Sequence, residues 1–225
     1  MMKFNKIEYD KLVANILSGH IHATVSVASF GGPSIYFHQR AIGLCRSNFL
    51  CDEHIEMVYA TLVAWGMHRS GKGGAKMPDY ADFYKSIKNI SATLCKYRHT
   101  KIESVSASDI TQVISDLSDI CFGNNSIVAS ATKSKVVSAS KTLAHILPDL
   151  VPPMDRQYTV RFFNNRKHNC NLTIKDEKQF FEDVMMCMWE FYQNKTILSS
   201  LHPLVKSGSH CSLPKLFDDL IIATF

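Results

Sequence analysis

The first residues whose types and spacing suggest chemistry lie in the glycine-rich stretch AWGMHRSGKGGAKMPDY, residues 64–80. The spacing G-x-x-x-x-G-K of a phosphate-binding loop runs from Gly66 to Lys72. Such a loop also needs a Ser or Thr after the lysine to hold magnesium, and a buried strand before the first glycine. Here Gly73 follows the lysine, and residues 55–66 repeat their apolar positions at helical spacing. The stretch is therefore more typical of a turn between two helices than of a nucleotide site.

The cations of this loop allow a second interpretation. Arg69, Lys72 and Lys76 supply positive charge, and the glycines between them let a backbone approach phosphate groups closely. A solvated turn that simply ends one helix is the plainer interpretation. The sequence leaves both open, and it predicts these three residues as contacts if the protein binds DNA.

A second candidate is a carboxylate that follows two prolines in the segment LVPPMD, residues 150–155. Pro152 and Pro153 restrict the backbone, so we expect Asp155 to be held in a fixed position. The simplest role for this aspartate is to cap the element that follows. A carboxylate fixed in this way can also act as an acid–base or electrostatic group.

The segment around Asp155, residues 135–163, resembles the C-terminal half of the helix-hairpin-helix base-excision DNA glycosylases. Ala139 matches the alanine of the helix that follows the family's hairpin, and Pro153-Met-Asp155 matches its Pro-x-Asp. The resemblance implies a helical fold, DNA as a partner, and Asp155 as the residue that assists loss of a base. The segment is also similar to uncharacterised bacterial protein families with the pattern S-K-x-L…P-x-L-x-P-x-x-D.

The chain departs from the glycosylase pattern before Asp155. Residues 130–138 contain no glycine, whereas the family presses hairpin glycines onto a DNA phosphate. Val137 stands where bifunctional members carry a lysine that attacks the sugar, with Lys135 and Lys141 close by but out of register.

If the resemblance holds, the residues around Asp155 divide into backbone contacts and base contacts. Tyr158 and Trp65 are candidates to stack on a base, although core packing is the commoner role of such rings. The remaining predicted DNA-binding residues share a positive charge: Lys135, Lys141, Arg156, Arg161, Arg166 and Lys167.

Composition sets limits on the class of protein. The chain has 225 residues, 46% of them apolar, and a formal net charge of +5, which permits an anionic partner without requiring one. Seven cysteines and an opening without an apolar run favour a reducing, cytoplasmic location, and no run is long enough to span a membrane. The histidines and cysteines do not pair at zinc-finger spacing, so we expect no metal and no cofactor.

Most of the chain repeats its apolar residues at the period of an amphipathic helix. Asp52 and Asp79 are placed to cap two of these helices. The predicted helices cover residues 6–17, 33–45, 52–69, 79–97, 108–123, 134–147, 176–195 and 214–225.

Two stretches depart from the helical period. Residues 21–30 alternate with a period of two, and residues 158–174 contain two β-favouring runs around a polar turn. We therefore predict a mainly α, single multi-helix domain over residues 1–225, with at most a minor β-hairpin.

Two functional hypotheses remain at this stage. The first is a DNA-binding protein with a glycosylase-like helical fold, either with or without base-excision activity. The second is a non-enzymatic helical protein that acts through protein contacts. The Met- and aromatic-rich residues 180–192 fit either a core helix or a partner-facing helix.

Overall fold

Helices make up the regular secondary structure of the part of the chain that the structure describes. The computed structural model describes residues 6–18, 33–68, 77–124, 126–127, 135–164, 174–205 and 211–225. Within those ranges the chain forms eleven α-helices and no β-strand, so the fold is mainly α, as the sequence predicts.

The helices are numbered here in chain order. The first six are α1 (Lys6–Leu17), α2 (Pro33–Ser47), α3 (Asp52–Ala64), α4 (Tyr80–Asn89), α5 (Ser91–Tyr97) and α6 (Ile110–Phe122). The last five are α7 (Lys135–Ile146), α8 (Arg161–Phe163), α9 (Ile174–Gln193), α10 (Lys195–Leu201) and α11 (Leu213–Ile222). A π-helical turn, Arg156–Val160, precedes α8, and two 3₁₀ turns cover Ile102–Ser104 and His202–Leu204.

Helix α7 lies at the centre of the structure. It packs against α2, α3, α6 and α9, and all of its side chains except Lys135 and Lys141 are buried. The hydroxyl groups that it buries are hydrogen-bonded: Thr142 Oγ1 donates to the carbonyl oxygen of Ser138 at 2.8 Å. Small residues such as Ala139 and Ala144 leave room for the neighbouring helices.

Helix α9 supplies most of the aromatic core. Phe180, Phe181, Phe191 and Tyr192 are almost completely buried, and Phe191 packs edge-on against Phe217 of α11. The Met- and aromatic-rich segment that could have formed a partner-facing helix is therefore a core helix of this chain.

The predicted helices are found, with several differences at their ends. The single predicted helix over 79–97 is two helices, α4 and α5, which meet at Ile90. Asp79 caps α4 as predicted, because its Oδ1 accepts the Asp82 amide at 2.9 Å. Asp52 does not cap α3: it is the first helical residue, and the Sγ of Cys51 accepts the His54 amide in its place.

The segment in which a hairpin was expected is helical where it is described. Tyr158–Phe163 belong to the π-helical turn and α8, because the Asp155 side chain caps this turn and starts a helix. Residues 165–173 and the period-two stretch 21–30 lie outside the described residues.

One buried carboxylate fixes the start of α7. Glu177 of α9 accepts hydrogen bonds from the backbone amides of Lys135 and Val136, which have no acceptor within their own helix. Burial raises the pKa of this carboxyl group, and the two amides and the Arg156 charge oppose that effect. The contact ties α9 to the helix that carries Lys141.

Glu177→Ala should therefore lower the free energy of unfolding by about 1–3 kcal/mol, since it leaves two buried amides without an acceptor. Glu190→Ala, an exposed glutamate on the same helix, should change it by less than about 0.5 kcal/mol. Urea titration followed by circular dichroism measures both values. Equal effects of the two substitutions would contradict this role of Glu177.

Candidate functional site

Asp155 lines a cavity of about 280 Å³, close to the lower end of the volumes found for small-molecule sites. The cavity is bounded by α2, the turn after α3, α7, the segment around the π-helical turn, and α11. Its lining combines charged or imidazole groups with apolar surface: His38, Lys141, Asp155, Lys215 and Asp218 beside Ile35, Trp65, Pro153, Tyr158 and Ile222.

The backbone of Asp155 is held from both sides. The amide of Met154, one residue earlier, donates to Ser140 Oγ of α7 at 3.0 Å. The amide of Asp155 donates to Thr159 Oγ1 at 3.0 Å. Two backbone hydrogen bonds, together with the preceding prolines, therefore fix the aspartate beside the central helix.

The two carboxylate oxygens of Asp155 have different partners. Oδ1 accepts the backbone amides of Gln157 at 2.6 Å and Tyr158 at 3.3 Å, which is the capping role expected from the sequence. Oδ2 lies 3.2 Å from Lys141 Nζ, and the side chains of Lys141 and Asp155 are 13% and 31% exposed. Capping thus orients the carboxylate, and its other oxygen is paired with a lysine at the cavity.

Lys141 also contacts an aromatic ring of the cavity. Its Nζ lies 5.4 Å from the ring centroid of Trp65, within the range of a cation–π interaction. Trp65 is half-buried and lies 4.8 Å from the His145 ring, centroid to centroid. The lysine is therefore fixed between a carboxylate and an indole.

A second charged cluster enters the cavity from α11. Lys215 Nζ lies 3.1 Å from Asp218 Oδ2 and also contacts Asp219 Oδ1, and the three side chains are 14%, 8% and 6% exposed. Burial raises the pKa of Asp218 to about 6, an effect that Lys215 opposes and Asp219 reinforces. The Thr159 hydroxyl, which accepts the Asp155 amide, lies 3.5 Å from Asp218 Oδ1.

Behind the cavity, buried histidines form a chain of hydrogen bonds. His145 Nδ1 lies 2.7 Å from the Lys141 carbonyl oxygen, which can only accept, so this nitrogen carries the proton. His145 Nε2 then accepts from His38 Nδ1 at 2.9 Å. His38 Nε2 in turn accepts from the Cys211 thiol, whose Sγ is 3.5 Å away.

A third histidine completes this network. His54 Nδ1 accepts the Leu50 amide at 3.1 Å, so its Nε2 donates to the His145 carbonyl oxygen at 3.2 Å. Burial lowers the pKa of His38 and His54 to about 4, and that of His145 to about 3. All three rings are therefore neutral at pH 7.

The structure brings four of the predicted site residues to one cavity: Trp65, Lys141, Asp155 and Tyr158 all line it. Lys141 was out of register with the family's lysine in the sequence, yet its ammonium group contacts the predicted carboxylate. The ring of Tyr158 packs edge-on against Phe225 at the C-terminal end of the chain.

The other predicted DNA contacts are more dispersed. Arg156 is exposed on the π-helical turn, and Lys135 is half-buried at the start of α7. The Arg161 guanidinium is half-buried and lies 4.9 Å from the ring centroid of Phe225. Five predicted residues lie outside the described part of the chain: Arg69, Lys72, Lys76, Arg166 and Lys167.

The contribution of α2 and α11 to the cavity was not predicted from the sequence. Lys215, Asp218 and Asp219 stand at positions i, i+3 and i+4 of a predicted helix, a spacing that places them on one face. That spacing was visible in the sequence. The partnership of His38 with His145 joins residues 107 positions apart and leaves no local signal.

Comparison with protein-family models, with curated proteins and with solved structures finds no match to this chain. Among the described residues, no group of three or more histidine, cysteine or acidic side chains is arranged to hold a metal ion. None of the helices in the described ranges combines the length and the apolar character needed to cross a membrane.

The neutral histidines predict how stability depends on pH. Their folded-state pKa values lie below the unfolded value of 6.5, so their contribution is present above pH 6.5 and is lost as the pH falls towards 4. Asp218 acts in the opposite direction, because its raised pKa favours the folded state at low pH and this contribution is lost as the pH rises through 6. Glu177, whose pKa burial also raises, acts in the same direction as Asp218. The three histidines outweigh these two carboxyl groups, so the protein should lose stability between pH 6.5 and 4.

His145→Gln should make the free energy of unfolding depend less steeply on pH, because one proton fewer is bound on unfolding. Below pH 6.5 the slope should fall by at most roughly 1.4 kcal/mol per pH unit. Urea titrations at pH 7.5 and pH 5 measure the change. His99→Gln, which replaces an exposed histidine, should keep the wild-type dependence. An unchanged pH dependence in the His145 variant would show that this ring is not held neutral.

Proposed function

We propose that the protein binds DNA, accepts a displaced nucleobase in the cavity beside Asp155, and hydrolyses the bond between that base and its sugar. The observation that carries this proposal is the position of Asp155. Its carboxylate is fixed by hydrogen bonds and an ion pair, and it lines a cavity together with the rings of Trp65 and Tyr158.

The composition of the cavity supports a flat, partly polar ligand. A base taken out of a duplex needs a pocket with aromatic or apolar walls and a few polar groups that contact its edge. Trp65, Tyr158 and Ile35 offer such walls, while Ser34 and Lys141 offer donors. Base–aromatic stacking contributes about 1–3 kcal/mol per base, enough to compensate for part of the cost of unstacking.

The geometry of Asp155 fits the stabilisation of a developing positive charge. Loss of a base leaves an oxocarbenium-like sugar, and a carboxylate beside it lowers the barrier most when it needs no reorganisation. Capping of two amides and pairing with Lys141 keep this carboxylate in one orientation before any substrate arrives. Water then attacks the sugar to complete the hydrolysis.

Positive charge close in the sequence to cavity-lining residues supports DNA as the partner. Arg156 immediately follows Asp155 and is exposed, and the basic loop 69–76 begins four positions after Trp65 in the sequence. The chain carries a formal net charge of +5. Phosphate contacts of this kind fix a protein on DNA without reading its sequence.

The alternative of a protein-interaction role loses its main support. It depended on the aromatic- and Met-rich segment of α9 as a surface, and that segment is buried in the core.

Binding to a fluorescein-labelled DNA duplex should weaken steeply as salt rises from 50 to 200 mM, because counterions compete for the phosphates. Arg156→Gln should weaken binding and make the salt dependence shallower, whereas Lys85→Gln, a neutralisation on α4, should not. Fluorescence anisotropy measures both. Absence of binding at 50 mM salt would refute the DNA-binding proposal.

Asp155→Asn should retain DNA affinity within a few-fold while lowering base release at least about 100-fold. Asparagine caps a helix about as well as aspartate, so the substitution keeps the cap on the π-helical turn and removes the charge that pairs with Lys141. Asp79→Asn, at another capping aspartate, is the matched control and should leave base release unchanged.

Base release is measured as alkali-sensitive sites in oligonucleotides that carry uracil, hypoxanthine, an alkylated adenine or 8-oxoguanine. If Asp155→Asn releases base at the wild-type rate, Asp155 has no catalytic role.

A further inference from the structure

The cavity contains a second carboxyl group, Asp218, supplied by a different helix. Asp218 lines the cavity from α11, whereas Asp155 lines it from the segment before the π-helical turn. Thr159 connects them: its Oγ1 accepts the Asp155 amide at 3.0 Å and lies 3.5 Å from Asp218 Oδ1. Thr159 therefore links the backbone of Asp155 to the carboxyl group of Asp218.

The charges around Asp218 do not balance when every group is ionised. Lys215 faces both Asp218 and Asp219 on α11, so one buried ammonium group is shared by two carboxylates. Two carboxylates that share a site disfavour each other's ionised form, so the pKa of one of them is raised. Asp218 lines the cavity, whereas Asp219 is not among the cavity-lining residues.

Groups on other elements also face Asp218 and affect its protonation. Thr159 of the π-helical turn contacts it directly, and Lys141 of α7 acts on it through its charge. His38 of α2 lines the same cavity and is neutral. Burial, with the Asp219 charge, raises the pKa of Asp218 to about 6 against the opposing effects of the two lysines.

We infer that Asp218 is the proton donor for the departing base, with Asp155 as the ionised partner. This inference rests on the proposed function and assigns the group that protonates the departing base. The two acids have different surroundings: Asp155 is paired with its own lysine and fixed by amides, whereas Asp218 is buried and shares its lysine with Asp219.

The reaction balances with water as the co-reactant. The bond between the sugar carbon and the base nitrogen breaks, its electron pair leaves with the base, and the Asp218 proton neutralises that nitrogen. Water adds to the sugar carbon and gives its proton to the Asp155 carboxylate. The products are the free base and a sugar hydroxyl. Proton exchange with solvent then restores Asp218–H and Asp155 carboxylate.

The test compares the pH dependence of base release in three proteins, with the oligonucleotides named above. In the wild type, the rate should fall as the pH rises through about 6, where Asp218 loses its proton. Asp218→Asn should lower the rate about 100-fold at pH 5.5 and lose this decline. Asp219→Asn should keep activity at low pH but move the decline to lower pH, because it removes the charge that holds the proton on Asp218.

Two further variants control for folding and for general loss of charge. Asp218→Glu keeps a group that can be protonated and should recover part of the rate lost in Asp218→Asn. Asp82→Asn, at an exposed aspartate of α4, should change neither the rate nor its pH dependence.

The outcomes separate the two proposals. If the wild type releases base and Asp218→Asn matches it in rate and pH profile, Asp218 is not the donor and the proposed function stands. If the wild type releases no base from any of the oligonucleotides, the proposed function fails and the donor role fails with it. If the wild type releases base, and Asp218→Asn lowers the rate of base release and abolishes its fall above pH 6, both the proposed function and the donor role are supported.

Discussion

The burial of α7 is the constraint on which the rest of the structure depends. This helix passes between α2, α3, α6 and α9, so every polar group that it carries has to find a partner inside the protein. Its N-terminal amides use Glu177, its Ser140 hydroxyl holds the Met154 amide, and its Lys141 pairs with Asp155. The candidate site is therefore a consequence of how the central helix satisfies its own polar groups.

The same constraint explains why the cavity is electrostatically organised before any ligand binds. Lys141 is fixed on one wall and Lys215 on another, each with an aspartate, and the low polarizability of the surroundings makes such charges act strongly on a bound molecule. The neutral histidine chain behind them connects α2 to α7 without adding charge. A ligand in the cavity would meet fixed dipoles and charges in place of water.

Much of the fold follows from local sequence patterns, because a helix with one buried face shows its period in any window of a dozen residues. That is why α6, α9 and α11 were placed within a few residues of their observed ends. The break between α4 and α5 was missed because the apolar stripe continues across Ile90. The run at 158–163 looked β-favouring because propensity ignores the Asp155 cap that starts a helix there.

The candidate site was only partly predictable. Asp155 was found because prolines precede it in the chain, and Lys141 was seen but could not be placed against it. His38 and Asp218 join the site from opposite ends of the chain, and only tertiary packing brings them together. Spacing on one helix shows which residues share a face, but not which cavity that face meets.

The most direct test of the account is whether the cavity prefers a positively charged sugar because of Asp155. The affinity of the protein is measured for two duplexes, whose abasic nucleotide carries either a protonated pyrrolidine ring or a neutral tetrahydrofuran ring. This comparison requires neither turnover nor knowledge of the natural base. The wild-type protein should bind the pyrrolidine duplex at least about tenfold more tightly, an effect of about 1.4 kcal/mol, and the Asp155→Asn variant should lose that preference. Equal affinity of the wild-type protein for the two duplexes would contradict the account.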